Sequence, residues 1–132
     1  MGATLRGLLC FTLIRFCYPR NSFSDIDLST QTLNPVVTGF KMTGNAAGDC
    51  FGFSVKTAGD INNDGYADII VGAYEKNEAY VIYGGEESSF FDIDLSTTSL
   101  NPLTTGFVIT GNAANDQLGF SVSTAGDINN GI

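Results

Sequence analysis

The 132-residue sequence contains no histidine. Without histidine, neither a Ser-His or Cys-His catalytic arrangement nor a histidine metal triad can be assembled. The three cysteines, Cys10, Cys17 and Cys50, match no zinc-binding spacing, and their odd number leaves at least one of them unpaired. We therefore expect no catalytic residues and no enzymatic activity.

Basic residues are also scarce, with six Lys and Arg against fourteen Asp and Glu and a net charge of −8. The imbalance is uneven: residues 1–20 carry three arginines and no acid, whereas residues 21–132 carry three lysines and all fourteen acids. Such an acidic body repels nucleic acids and anionic membrane surfaces, and it suits a protein that holds cations. We expect no nucleic-acid partner.

Residues 1–22 differ from the rest of the chain and form an atypical N-terminal segment. Arg6 precedes an apolar run at residues 7–14, the order found in a secretory signal, but Arg15 ends the run and no small-x-small cleavage site follows. The run is too short to span a bilayer. Two interpretations stay open, a weak signal-like segment or degenerate sequence preceding the first repeat.

The remainder of the chain repeats itself at an offset of 67 residues. The hexapeptide Asp-Ile-Asp-Leu-Ser-Thr occurs at residues 25–30 and again at residues 92–97. Between residues 25 and 63, 29 of 39 positions are identical to their counterparts, which indicates a duplicated structural unit. We assign a first repeat to residues 23–89 and a second, truncated repeat to residues 90–132. The paired acids of the Asp-Ile-Asp motif are expected to face solvent in a linker.

Each repeat is predicted to contain four short strands, at about residues 38–43, 52–57, 67–73 and 79–83 in the first repeat. Four antiparallel strands per unit are the plan of a β-propeller blade. We predict an all-β fold of four-stranded antiparallel β-propeller blades, about one full blade plus part of a second. Since a propeller needs about four to eight blades, we expect a fragment of a larger propeller, with further blades or self-association covering its open edges.

The candidate site is the stretch Asp-Ile-Asn-Asn-Asp-Gly-Tyr-Ala-Asp at residues 60–68, between the second and third predicted strands. It has oxygen-bearing side chains at its first, third, fifth and ninth positions and a glycine at its sixth. Ca²⁺ takes about six to eight oxygen ligands, and alternate-residue spacing points several of them inward from one loop. We predict that Ca²⁺ is bound by the side chains of Asp60, Asn62, Asp64 and Asp68 and by the backbone carbonyl of Tyr66.

An ordinary Asp-Gly hairpin turn is the alternative, but such a turn needs two residues and does not explain four spaced ligands. The loop is not an EF-hand, because its twelfth position is Val71 where an EF-hand has a bidentate glutamate. The second repeat has Asp127 and Asn129, but Gly131 stands at the counterpart of Asp64. We therefore expect one calcium ion per chain.

Three features together resemble the FG-GAP repeat, known from the seven-bladed propeller of integrin α chains and from related secreted proteins. They are Phe51-Gly52, the loop at residues 60–68, and Gly72-Ala73-Tyr74. The resemblance covers about residues 36–132. Tyr74 replaces the usual proline, and Leu118-Gly119 replaces Phe-Gly in the second repeat. The resemblance implies that Ca²⁺ is a structural cofactor of the hairpin between the second and third strands.

The resemblance also implies a module for cell adhesion or extracellular ligand recognition, located outside the cell or at its surface. Whole propellers of the family present loops to protein or glycan ligands on one face, so we expect a ligand of that kind. Similar repeats occur beside catalytic domains, which leaves an accessory region of a secreted hydrolase as one alternative. A non-functional fragment of a longer FG-GAP protein is another.

Overall fold

The computed structural model describes residues 33, 39–86 and 91–126, and the backbone of residues 11–13. The strands in these ranges are β1 (Phe11–Leu13), β2 (Phe40–Thr43), β3 (Phe51–Gly59), β4 (Asp68–Ala73), β5 (Glu78–Ile82), β6 (Ile93–Asp94) and β7 (Gly106–Thr110). The short 3-10 helix Tyr74–Lys76 lies between β4 and β5. No helix in the described part of the chain is long and apolar enough to cross a membrane.

Some predictions concern residues outside these ranges. The rest of the atypical segment 1–22, the Asp-Ile-Asp motif at residues 25–27 and the second loop from Asp127 onward are not among the described residues. The domain boundaries drawn at residues 22 and 89 therefore stay predictions.

β3, β4 and β5 lie close to the strands predicted at about residues 52–57, 67–73 and 79–83. β3 pairs antiparallel with β4 from Phe51 opposite Ala73 to Gly59 opposite Asp68, with two register shifts along the way. The chain turns from β4 into β5 through the 3-10 helix and Asn77, whose φ of 61° is left-handed. Asparagine tolerates this conformation better than most residues, so the connection can be short.

The four-stranded antiparallel sheet has the order β3-β4-β5-β7. This confirms the all-β fold class and the four-stranded antiparallel blade. β7 pairs with β5 from Thr110 opposite Glu78 to Gly106 opposite Ile82, so the last strand of the sheet comes from the second repeat. The blade therefore runs across the boundary between the two sequence repeats.

The expectation that residues 38–43 supply a strand to the sheet of their own repeat is wrong. β2 lies in a separate three-stranded sheet, antiparallel to β1 and parallel to β6. Residues 107–110 of β7 are the repeat counterparts of β2, and they pair with the preceding unit. Alternation identifies a strand, but it does not say which sheet edge the strand will pair with.

One hydrophobic core lies between the two sheets. Its members come from β2 and residues 93–95 on one side and from β3, β4 and β5 on the other: Phe40, Met42, Phe51, Val71, Ala73, Tyr80, Ile82, Ile93 and Leu95. The rings of Phe51 and Tyr80 pack edge to face, with centroids 5.4 Å apart.

The Asp-Ile-Asp motif at residues 92–94 was expected to be a linker, but it contributes β6 and buries Ile93, while Asp92 remains exposed as expected.

The duplication extends to backbone conformation. The amide N–H of Ala46 donates to Oδ2 of Asp49 (3.0 Å), and in the second repeat Ala113 donates to Oδ2 of Asp116 (2.8 Å). The residues after these two aspartates, at positions 50 and 117, have φ of 54° and 55°. The same turn therefore forms twice. Residues 119–126, the counterparts of most of β3, form no strand.

Candidate metal centre

The loop at residues 60–67 connects β3 to β4 at one end of the four-stranded sheet. Gly59 lies opposite Asp68 at the base of this hairpin, and Thr57 Oγ1 donates to the backbone carbonyl of Asp68 (3.2 Å). The loop itself is exposed. The predicted ligands thus stand on a solvent-facing loop whose base is anchored in the sheet.

Backbone N–H groups within the loop form hydrogen bonds with the side-chain oxygens at its first and third positions. The N–H of Asp64 lies within hydrogen-bonding distance of both Oδ1 of Asp60 (3.0 Å) and Oδ1 of Asn62 (3.2 Å). The N–H of Gly65 donates to Oδ2 of Asp60 (2.8 Å). Asn63 and Gly65 have φ of 59° and 88°, the left-handed conformations that curl the chain around these oxygens. Because the N–H of Asp64 lies within hydrogen-bonding distance of both side chains, the Oδ1 atoms of Asp60 and Asn62 lie close together.

Asp64 belongs to the same group. Its Oδ1 accepts a hydrogen bond from the N–H of Tyr66 (2.8 Å), and its Oδ2 accepts one from Nδ2 of Asn62 (2.7 Å). Each carboxylate oxygen has two lone pairs, so one hydrogen bond leaves room for a second partner. The structure therefore brings the predicted ligands Asp60, Asn62 and Asp64 together on one loop.

Asp68 has a different environment from the loop ligands. It is 0% exposed, and it is the one charged residue in the described core. Its Oδ2 accepts from the N–H of Ile61 (2.7 Å) and its Oδ1 accepts from the N–H of Gly84 (2.8 Å). The Asp68 carboxylate thus ties the start of the loop to the chain leaving β5, and a buried carboxylate needs such donors to be tolerated.

The donor chemistry fits a hard cation, since the predicted ligands are carboxylate, amide and carbonyl oxygens. No group of three or more His, Cys, Asp or Glu side chains in the described ranges stands close enough together to hold a metal ion by itself. A cation on this loop would therefore use the amide oxygen of Asn62 and the carbonyl of Tyr66 beside the carboxylates.

A second polar cluster, which the sequence reasoning missed, lies at the opposite end of the β4–β5 hairpin. Nζ of Lys76 is 2.8 Å from Oε2 of Glu78 and 3.1 Å from the hydroxyl of Tyr80, and that hydroxyl donates to Glu78. Burial and the bond to Glu78 raise the pKa of Tyr80 to about 12. Burial lowers the pKa of Lys76, but its two partners outweigh burial and raise it. The signal available in the sequence was the two-residue spacing of Glu78 and Tyr80, which places them on one face of a strand.

Asn77 joins this hairpin to the second repeat. Its Nδ2 donates to the carbonyl of Ala113 (2.8 Å), its Oδ1 accepts from the N–H of Leu118 (2.8 Å), and its carbonyl accepts from the N–H of Gly111 (2.9 Å). One residue therefore holds the repeated turn of the second repeat in place. Nothing in the local sequence distinguished this asparagine from an ordinary turn residue.

A four-stranded antiparallel sheet with an oxygen-rich loop on one hairpin is consistent with a blade of a β-propeller repeat protein. Residues 51–83, which run from the start of β3 past the end of β5, match the family model described as FG-GAP repeat. This match is consistent with the FG-GAP, integrin α-like repeat predicted from the sequence. No curated protein and no solved structure matches the chain.

Proposed function

We propose that this chain is a calcium-binding β-propeller repeat module for cell adhesion or extracellular ligand recognition, in which calcium has a structural role. The observation that carries the proposal is the convergence of Asp60, Asn62 and Asp64 around shared backbone donors on the hairpin loop of an FG-GAP repeat. Oxygen atoms at alternate positions of a curled loop suit Ca²⁺ better than any softer ion.

The role of the metal follows from the charges of the loop. Asp60 and Asp64 are both anionic and lie within one short loop, with Asp68 at its base, so they repel one another when no cation is present. A bound Ca²⁺ would neutralise this repulsion and hold the β3–β4 hairpin rigid. For a dissociation constant of about 10⁻⁴ to 10⁻³ M, typical of extracellular modules, about 1 mM calcium would stabilise the fold by about 0.4 to 1.4 kcal/mol.

The proposal places the protein outside the cell or at its surface, where calcium at this concentration is present. Its partners would be a protein or glycan ligand bound by the loops of a propeller face. Two features support this reading: the FG-GAP match at residues 51–83, and the acidic body of the chain, which suits a cation-rich environment.

Isothermal titration with CaCl₂ tests the metal site. The wild-type chain should bind calcium with a stoichiometry near one, and Asp64→Ala should lose the binding heat. Glu75→Ala is the matched control, because Glu75 is an exposed carboxylate on the 3-10 helix, outside the loop. Equal heats for wild type and Asp64→Ala would refute the site. A stoichiometry near two that persists in Asp64→Ala would show that a different loop binds calcium.

A further inference from the structure

Within the described residues, the outer edge of β7 is an open strand edge. β7 ends the four-stranded sheet, and no residue in the described ranges pairs with its outer side. Val108 and Ile109 on this strand are 42% and 40% exposed. Met42, the repeat counterpart of Ile109, is 0% exposed. An exposed apolar edge strand is a template for pairing with another strand.

The backbone of β7 has groups available for such pairing. At one end of the β5–β7 ladder the N–H of Gly111 donates to the carbonyl of Asn77 (2.9 Å). Bonding alternates along an antiparallel strand, so Ile109 directs its backbone groups toward β5. The N–H of Val108 and the carbonyl of Thr110 consequently point away from the sheet.

In β2, the repeat counterpart of β7, the equivalent two groups are bound by the hexapeptide at residues 92–97. The N–H of Lys41 donates to Oδ1 of Asp92 (2.8 Å), and the carbonyl of Thr43 accepts from the N–H of Leu95 (3.0 Å). Lys41 corresponds to Val108 and Thr43 to Thr110. Both bonds use backbone groups of β2, so the change from Lys41 to Val108 does not remove them.

Packing accompanies these bonds. Met42 lies opposite Ile93 in the parallel β2–β6 pair, and Ile93 and Leu95 are both buried against it in the core. The hexapeptide therefore acts as a strand that covers the edge of β2 with two apolar side chains and two hydrogen bonds.

The sequence contains the same hexapeptide a second time, at residues 25–30. In the observed pair, a hexapeptide of the second repeat binds the strand of the repeat before it. In the same arrangement, the outer edge of β7 would pair with a hexapeptide from a later unit. Residues 25–30 come before both β2 and β7 in their own chain. Residues 25–30 of another molecule are not restricted by this order along the chain and can approach the outer edge of β7.

We propose that residues 25–30 of a second copy of this chain bind the outer edge of β7 as a parallel strand. The register follows from the β2–β6 pair: Ile26 lies beside Ile109 and Asp27 beside Thr110. The N–H of Val108 donates to the Asp25 carboxylate, as Lys41 donates to Asp92. The interface is head-to-tail, so each copy offers one hexapeptide and one β7 edge, and association can extend beyond a dimer. It does not depend on calcium.

Disulfide trapping tests the register in a full-length background with Cys10, Cys17 and Cys50 changed to serine. Chains carrying Thr110→Cys and Asp27→Cys are purified separately and mixed under mild oxidation. Paired residues of neighbouring strands lie within the separation that a disulfide spans, so we expect a disulfide-linked heterodimer. Ile26→Cys in place of Asp27→Cys is the matched control and should give little product, because its side chain points to the other face.

A positive control is the single chain with Thr43→Cys and Asp94→Cys, which are opposite each other in the structure and should cross-link within the molecule. If that chain closes while the Thr110/Asp27 mixture does not react, or reacts no better than the Ile26 mixture, the proposal is overturned. Closure of a Thr110→Cys, Asp27→Cys chain on itself at low concentration would also overturn it, since the occupant would then be the same molecule.

Sedimentation velocity provides an independent readout without cysteines. The mass of the wild-type chain should rise with concentration, and Val108→Pro should abolish the rise, because proline removes the N–H that points outward but leaves the bonds to β5. Val108→Thr retains the N–H and should associate as wild type does. Equal association of the proline and threonine variants would contradict the proposed edge contact.

Discussion

Asp68 gives the sharpest test of how the candidate loop is held, because its structural role can be separated from metal binding. The carboxylate is fully buried and accepts hydrogen bonds from Ile61 and Gly84. A hydrogen bond to a charged group contributes about 1.5 to 3 kcal/mol, so the two bonds together contribute about 3 to 6 kcal/mol. Removing the carboxylate also removes the cost of burying it, so Asp68→Ala should lower the free energy of unfolding by about 2 to 4 kcal/mol.

Asp68→Asn refines this prediction. The side chain keeps its shape and one acceptor oxygen, but its NH₂ group must face one of the two backbone donors, so we expect a loss of about 1.5 to 3 kcal/mol. Asp64→Asn is the matched control, since this exposed carboxylate accepts a single backbone bond, from Tyr66, and should cost about 1 kcal/mol or less.

Urea unfolding in EDTA, monitored by circular dichroism, measures both variants without a contribution from calcium. Equal losses for Asp68→Asn and Asp64→Asn under these conditions would refute the reasoning, because they would mean that the buried hydrogen bonds add nothing beyond those of an exposed loop carboxylate.

Two other predictions concern the β4–β5 hairpin. Asn77→Ala should destabilise the fold by about 2 to 3 kcal/mol, because it removes the hydrogen bonds to Ala113 and Leu118 and places alanine at a left-handed φ. Asn77→Gly should lose only the two hydrogen bonds. Hydrogen exchange at the Leu118 amide measures how far the turn is released. The raised pKa of Tyr80 means that its neutral form is favoured in the folded state, so its stabilising contribution is present below pH 10 and is lost as the pH rises toward about 12. Tyr80→Phe should therefore reduce the alkaline fall in unfolding free energy between about pH 10 and about pH 12, and an unchanged fall would contradict this.

The local elements could be predicted from the sequence because their signals are local. The alternation of Phe53, Val55 and Thr57 and the β-branched run at residues 69–71 mark β3 and β4 within a few residues of their observed bounds. The loop between them was recognisable from the spacing of its oxygens, and in the structure Asp60, Asn62 and Asp64 lie together on it. These properties depend on neighbours within about nine residues along the chain.

The errors were in long-range pairing. β7 joins β5 across the repeat boundary, and β6 joins β2 across about fifty residues, although the sequence of each strand is compatible with several partners. Taken alone, one isoleucine between two aspartates indicates a linker. In the structure Ile93 lies in a strand, and it is buried in one cluster with Leu95 and with Met42, which is distant in the sequence. Likewise Asn77 has no distinguishing sequence context, since its partners belong to the other repeat.

The loop geometry bears on how calcium would act. In a site that folds only when the metal binds, the binding free energy is spent largely on ordering the chain. Here the amides of Asp64, Gly65 and Tyr66 already orient the loop oxygens, and the Asp68 carboxylate already fixes the base of the hairpin. Less ordering is left for the metal, so its main contribution would be to offset the repulsion between carboxylates. Such a loop fits a rigid structural support rather than a switch, because a switch requires two conformations that the metal stabilises to different degrees.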